Sequence, residues 1–156
     1  MIEILIPGYK HLQLKHLVLD YNGTIAFDGH LLDGLKETLN LLSASLKIHV
    51  LTADTFGNVQ SELKGFPITL SILPADKQDF GKLEYVQKLG SENTVCIGNG
   101  RNDRLMLKDA GLAIALIQDE GACKETLLWA DVVCNDILSA LQLLMNPKRL
   151  VATLRS

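Results

Sequence analysis

Cysteine is scarce in this chain, with only Cys96, Cys123 and Cys134 among 156 residues. An odd count, apolar neighbours and no paired spacing exclude a disulfide framework and predict buried free thiols in a reducing cytoplasm. The histidines His11, His16, His30 and His49 form no ligand pattern with them, so no zinc site is expected. Basic charge is not in excess: the formal net charge is −3, which gives no support for a nucleic-acid or anionic-membrane partner. The apolar stretches run to about half the roughly 20 residues that cross a bilayer, so no transmembrane helix is expected. Met1-Ile2-Glu3 lacks the basic start and small-residue cleavage site of a signal peptide. No linker, internal repeat or low-complexity segment interrupts the chain. One domain over residues 1–156 is therefore predicted, with 47% apolar and 21% charged residues, ordinary for a globular protein.

What is present is a regular alternation of strand and helix signals. Ile2 to Ile6 and the run from about His11 to Leu19, separated by Pro7-Gly8, predict an antiparallel hairpin feeding a central strand. Asp28-Gly29 predicts a short hairpin flap. Helical spacing then links Leu32, Leu35, Leu39 and Leu42. Strands follow at Ile48–Leu51, Ile68–Ile72, Thr94–Ile97, Leu112–Leu116 and Asp131–Val133. Helices are predicted over about Thr55–Lys64, Asp79–Leu89, Asn102–Asp109 and from near Gly121, with a helical tail Ile137–Leu144 closed by Pro147. Such alternation predicts an α/β fold: a doubly wound parallel sheet with helices on both faces, joined by right-handed crossovers.

Within this frame, His16-Leu17-Val18-Leu19-Asp20-Tyr21-Asn22-Gly23-Thr24 runs an apolar strand into a glycine-punctuated turn and delivers a carboxylate to the sheet's ligand crevice. Aspartate there can act as a nucleophile toward phosphorus. Thr52 ends the strand Ile48–Leu51, Lys82 opens a helical stretch, and Gly98-Asn99-Gly100-Arg101-Asn102-Asp103 follows the strand Thr94–Ile97. Taken in this order, these residues resemble the haloacid dehalogenase-like (HAD) superfamily. The second half, with its Gly-X-Gly-X-Asn-Asp turn, Ala110-Gly111-Leu112-Ala113-Ile114-Ala115 and Ala130-Asp131-Val132-Val133, resembles the phosphorylation domain of P-type ATPases.

The resemblance implies a Mg2+-dependent phosphohydrolase with Asp20 as nucleophile. Thr52 and the Ala53 amide would bind the phosphoryl group. Lys82 would contact both the phosphate and Asp20, with Lys77, in Pro74-Ala75-Asp76-Lys77, as its rival. Asp20, the Asn22 carbonyl and Asn99 or Asp103 would ligate the metal, and Asn102 and Asp103 would orient the lysine and metal-bound water. About thirty residues separate Asp20 from Thr52, already committed to flap, helix and strand, so no cap domain fits and adenine recognition is not expected. Capless relatives of this kind close their sites with neighbouring subunits, which leaves room for a homo-oligomer.

Two departures from the family pattern are sharp. Asn22 stands where the phosphatases carry their general acid/base, whose loss typically costs about 10²–10⁴-fold in rate. Slow hydrolysis of the phosphoenzyme is implied, with Asp28 or His30 on the flap as substitute proton donors. Asn99 replaces a ligating aspartate, which implies Mg2+ binding only in the millimolar range as an order of magnitude, since a unit charge pair at 4 Å grosses about 4 kcal/mol at an effective dielectric of 20. The residues thus leave two readings: a slow phosphohydrolase, or a phosphate-accepting sensor or binding module with a degenerate HAD site. With no cap, no segment identifies the phosphorylated substrate.

Overall fold

The structure, a computed structural model, describes residues 1–54 and 56–156. Among the described residues it contains a six-stranded parallel sheet, two antiparallel hairpins and seven α-helices. The first hairpin pairs β1 (Ile2–Ile6) with β2 (Lys10–Leu14). At Lys15 the extended run predicted from His11 to Leu19 divides. The Lys15 amide donates to the Asn93 carbonyl and its own carbonyl accepts from Lys47, so the chain leaves the hairpin and enters the central sheet as β3 (His16–Asp20). The flap follows as β4 (Ala26–Phe27) and β5 (His30–Leu31). Asp28 and Gly29 at its tip both have positive φ, as a tight two-residue hairpin turn requires.

Then come α1 (Leu35–Leu42), β6 (Lys47–Thr52), α2 (Val59–Glu62), β7 (Ile68–Ile72), α3 (Gln78–Leu89), β8 (Thr94–Gly98), α4 (Arg104–Asp109), β9 (Leu112–Leu116), α5 (Lys124–Trp129), β10 (Val132–Cys134), α6 (Ile137–Met145) and α7 (Pro147–Leu154). The sheet order is β10-β9-β8-β3-β6-β7. All neighbours are parallel, with Asp20 opposite Leu51 and Leu19 opposite Ile97. Because β3 lies between β6 and β8, chain progression reverses at β3. A crevice opens there, at the carboxyl ends of the strands.

Both faces of the sheet are covered, which is why its strands read as apolar runs rather than alternating ones. On one face Leu17, Leu19, Val50, Ile97 and Ile114 pack with Leu35 and Leu39 of α1 and Leu141 and Leu144 of α6, and the first hairpin adds Ile4, Ile6, Leu12 and Leu14. On the other, Val18, Leu51, Cys96 and Ala113 meet Val86 of α3 and Met106 and Leu107 of α4.

Three helix boundaries differ from expectation. The helix predicted over Thr55–Lys64 is short: Thr55 lies outside the described residues, and the Asp54 carboxylate accepts a 3.1 Å bond from Val59 N, so α2 starts only there. The helix expected from near Gly121 begins at Lys124. Pro147 does not end the tail but opens α7, because proline suits the first turn of a helix, where its missing N–H is not needed. Leu150 of α7 is fully buried, and α7 packs against β1. Of the cysteines, Cys96 is buried as expected, whereas Cys123 and Cys134 are half-buried; all three are free. No helix among the described residues is long and apolar enough to cross a membrane.

Candidate active site

Asp20 is the last residue of β3 and is 7% exposed at the crevice. Its Oδ1 accepts a 2.6 Å bond from Lys82 Nζ, and its Oδ2 accepts from Thr24 Oγ1 at 3.3 Å. Burial, followed by the nearby charge of Asp103, raises the Asp20 pKa above the ordinary carboxylate range and outweighs the opposing pull of the Lys82 ammonium.

Lys82 sits one turn into α3 and is fully buried, whereas Lys77 precedes the helix in the left-handed conformation and is exposed. Besides Asp20, Lys82 donates a 2.6 Å bond to Asp103 Oδ1. Burial alone would lower the pKa of its ammonium, but Asp103 and Asp20 reverse that and hold it raised. A cation placed between two carboxylates this way stays charged, and the carboxylates stay apart. Of the two lysines considered from the sequence, the fold brings Lys82 to Asp20.

Asp103 is buried completely, in a turn of 3₁₀ helix (Arg101–Asp103) that precedes α4. Its Oδ2 accepts from the amides of Asn99 at 3.0 Å and Gly100 at 2.9 Å, so both carboxylate oxygens are engaged within the protein. This approach needs Gly98: a Cβ there would lie 2.5 Å from Asp103 Cγ. Asn102 turns away from Lys82 and donates to Gln78 Oε1 at 2.9 Å, stapling the turn to the start of α3. Arg104 and Asp79 repeat the staple at 2.8 Å.

Thr52 ends β6, one residue beyond the partner of Asp20, and is buried. Its Oγ1 accepts a 3.0 Å bond from Asp54 N, which leaves the hydroxyl proton free for an acceptor in the crevice. Ala53 follows it, half-buried. Asn22 turns its side chain elsewhere: its Oδ1 accepts from Gly29 N at 3.1 Å, tying the turn after β3 to the flap. Asp28 is exposed at the flap tip, and His30 points toward Glu62, 3.6 Å away.

Asn99 is 6% exposed. Its Nδ2 donates to the Gly121 carbonyl at 2.9 Å, while its Oδ1 is a buried oxygen without a hydrogen-bond partner among the described residues. Such an orphan normally marks a position where something else binds. Beside it, Gly23 (φ +80°) lets the turn approach closely: a Cβ there would clash with Asn99 Nδ2 at 2.4 Å, Asn99 Oδ1 at 2.6 Å and Glu120 Oε2 at 2.6 Å. Asp20 and Asp103 bring two negative charges against the one positive charge of Lys82. Oxygen donors around an uncompensated negative charge fit a hard divalent cation, and Mg2+ is the small member of that class. Among the described residues, no group of three or more His, Cys, Asp or Glu side chains forms a ready-made metal cluster, so any such site depends on amide and backbone oxygens.

Several participants were not foreseen from the sequence. Thr24 meets Asp20 through the turn Tyr21–Thr24, whose local spacing already carried the signal. Gln118, after β9, donates to the carbonyls of Gly23 at 3.0 Å and Thr24 at 2.9 Å and accepts from Ile137 N at 2.8 Å, clamping the turn to α6. Nothing in the local sequence around Gln118 announces this role.

The fold is similar to that of solved HAD-family hydrolases and phosphatases. It superposes on 3-deoxy-D-manno-octulosonate 8-phosphate phosphatase from Yersinia pestis with a TM-score of 0.68 and 12% identity, over 97% of this chain and 96% of that one. The corresponding enzyme from Moraxella catarrhalis, in complex with magnesium ion, phosphate ion and KDO molecule, matches with a TM-score of 0.66 and 17% identity over 90% of this chain and 93% of that one. No protein-family model matches the chain. In sequence it is 44% identical over 92 residues to the uncharacterized protein MJ0073 of Methanocaldococcus jannaschii, covering 53% of this chain and 99% of that protein, and it belongs to the same family.

Proposed function

We propose that the protein is a Mg2+-dependent phosphohydrolase that works through an aspartyl phosphate at Asp20. The observation that carries this reading is the Asp20–Lys82–Asp103 bridge, with 2.6 Å on each side, at the strand ends where the sheet order reverses. A carboxylate oxygen of Asp20 attacks phosphorus, forming the aspartyl O–P bond as the bond to the leaving oxygen breaks. The Thr52 hydroxyl, the Ala53 amide and Lys82 hold the phosphoryl oxygens, so catalysis is mainly positioning and electrostatic stabilisation. Asp103 positions Lys82 and the Asn99–Gly100 backbone, and its two engaged oxygens favour this role over direct ligation. Asp20, the Asn22 carbonyl and Asn99 Oδ1 would hold Mg2+, which neutralises phosphate charge when bound.

Water then attacks the phosphoenzyme at phosphorus, the bond to Asp20 breaks, and phosphate leaves. Position 22 carries neither proton transfer: an amide there cannot donate or accept a proton, and its oxygen is committed to Gly29. Turnover is therefore slow and favours substrates with good leaving groups. The same feature supports a second reading, in which the phosphoenzyme persists and the protein serves as a phosphate-accepting sensor.

Incubation with acetyl phosphate and Mg2+, followed by intact mass and phosphate release, tests both. Release by wild type and none by Asp20→Asn supports the hydrolase; a lasting adduct on Asp20 supports the sensor. No adduct and no release from any of a panel of phosphorylated metabolites overturns both.

A further inference from the structure

We infer that Glu120, on the loop between β9 and α5, supplies the carboxylate that position 99 lacks and completes the divalent-cation site from beside Gly23 and Asn99. The inference rests on the cation site of the preceding reading. The side chains of Asn99 and Glu120 both close on Gly23: a Cβ there would lie 2.6 Å from Asn99 Oδ1, 2.4 Å from Asn99 Nδ2 and 2.6 Å from Glu120 Oε2, too close for any side chain. Two oxygens from different elements thus lie next to Gly23, each 2.6 Å from one point and so within about 5 Å of each other. Among the described residues, one is a buried amide oxygen with no hydrogen-bond partner, and the other belongs to an exposed carboxylate that forms no ion pair. A carboxylate oxygen and an amide oxygen near each other, with no protein donor to either among the described residues, are a donor pair that suits a hard cation.

The loop is built to hold this arrangement. Gly121, next to Glu120, accepts the Asn99 Nδ2 bond at 2.9 Å and so fixes the amide with its oxygen free. Cys123 N donates to the Asn99 carbonyl at 2.8 Å. Gln118, two residues before Glu120, grips Gly23 and Thr24. The loop is therefore tied to the two turns that would furnish the other ligands, and Glu120 lies between the ties. Electrostatics agrees. With Asn at 99, the buried set carries one uncompensated negative charge, and Glu120 adds a second, which a divalent ion neutralises. Binding is then tighter than the millimolar affinity that the loss of a carboxylate at 99 would by itself imply.

Mn2+, followed by the loss of its free electron paramagnetic resonance signal on titration of the full chain, serves as the probe. Glu120→Gln is expected to weaken Mn2+ binding by about tenfold or more, while Asp119→Asn, one residue away, changes it by less than about twofold. Adding Asn99→Asp to Glu120→Gln is expected to restore the affinity by returning the charge to position 99. Circular dichroism of Glu120→Gln matching wild type shows that its exposed side chain is not needed for folding. If Asp20→Asn abolishes Mn2+ binding while Glu120→Gln leaves it unchanged, the Glu120 assignment is overturned and the cation site stands. If Asp20→Asn binds Mn2+ as well as wild type, the cation site itself is overturned, and Glu120 with it.

Discussion

Asn22 Oδ1 accepts a 3.1 Å hydrogen bond from the backbone amide of Gly29, so the side chain two residues after Asp20 serves the flap and not the crevice. An aspartate at this position can make the same bond with one oxygen and keep the other for proton transfer. Asn22→Asp should therefore fold normally and raise the rate of phosphate release from acetyl phosphate by about 10²-fold, the lower end of the usual general acid/base contribution. Stopped-flow phosphate detection reads the change; an unaltered rate would show that proton transfer does not limit turnover.

Lys82 is the single cation between two buried carboxylates. Replacing it with methionine of similar length leaves Asp20 and Asp103 facing each other unpaired. Lys82→Met should lower unfolding free energy by about 3–5 kcal/mol, the usual cost of breaking a buried ion pair. Urea unfolding checks this, and Lys82→Met combined with Asp103→Asn should regain part of the loss.

Gly98 carries a different constraint. The Cβ of Gly98→Ala would come within 2.5 Å of Asp103 Cγ, a side chain with no freedom to retreat because three hydrogen bonds fix it. Overpacking of this kind costs about 1–3 kcal/mol. The variant should lose stability by that amount in urea and also lose phosphoenzyme yield by mass spectrometry, since Lys82 moves with Asp103.

A second polar chain, apart from the crevice, should dominate acid sensitivity. His49 lies between His16, at 3.1 Å, and the Tyr85 hydroxyl, at 3.0 Å. Burial first, then the neighbouring His16 and Lys47, push its pKa down to about 4, and burial also lowers that of His16. A histidine whose folded pKa is depressed stabilises the fold above its unfolded pKa of roughly 6.5, and that contribution is lost as pH falls toward 4. At about 1.4 kcal/mol per pKa unit, the loss attributable to His49 is on the order of 3 kcal/mol. Unfolding measured at pH 7 and pH 4 should show it in wild type, and His49→Phe should flatten the difference.

Most of the frame was legible because the signals are local. Strand β9 reads directly from Leu112–Leu116, the flap from Asp28-Gly29, and the Lys82 helix from the stretch Asp79–Leu89, which the structure gives as Gln78–Leu89. The elements that escaped depend on contacts distant in sequence. Pro147 suits a helix start as well as a stop, and only the burial of Leu150 against the first hairpin decides between them. Asp103 reads in the one-dimensional motif both as an alternative ligand and as an orienter of Lys82; in three dimensions its oxygens accept from Lys82, Asn99 and Gly100, contacts that only the folded turn reveals. Gln118 and Glu120 carry no motif at all and acquire meaning only when the loop after β9 folds against Gly23.

The flap has an asymmetry with a practical consequence. Its inner edge is pinned at Gly29, whose amide is held by Asn22 and whose carbonyl accepts from both the Tyr21 hydroxyl and Asn58 Nδ2. Its other side, Phe27 at the end of β4 and Asp28 in the turn, projects into solvent. Extra sequence grafted between those two residues would extend over the mouth while the strand-borne groups beneath keep their positions. Selectivity for a new phosphoester could thus be engineered, or acquired in evolution, without rebuilding the reactive centre.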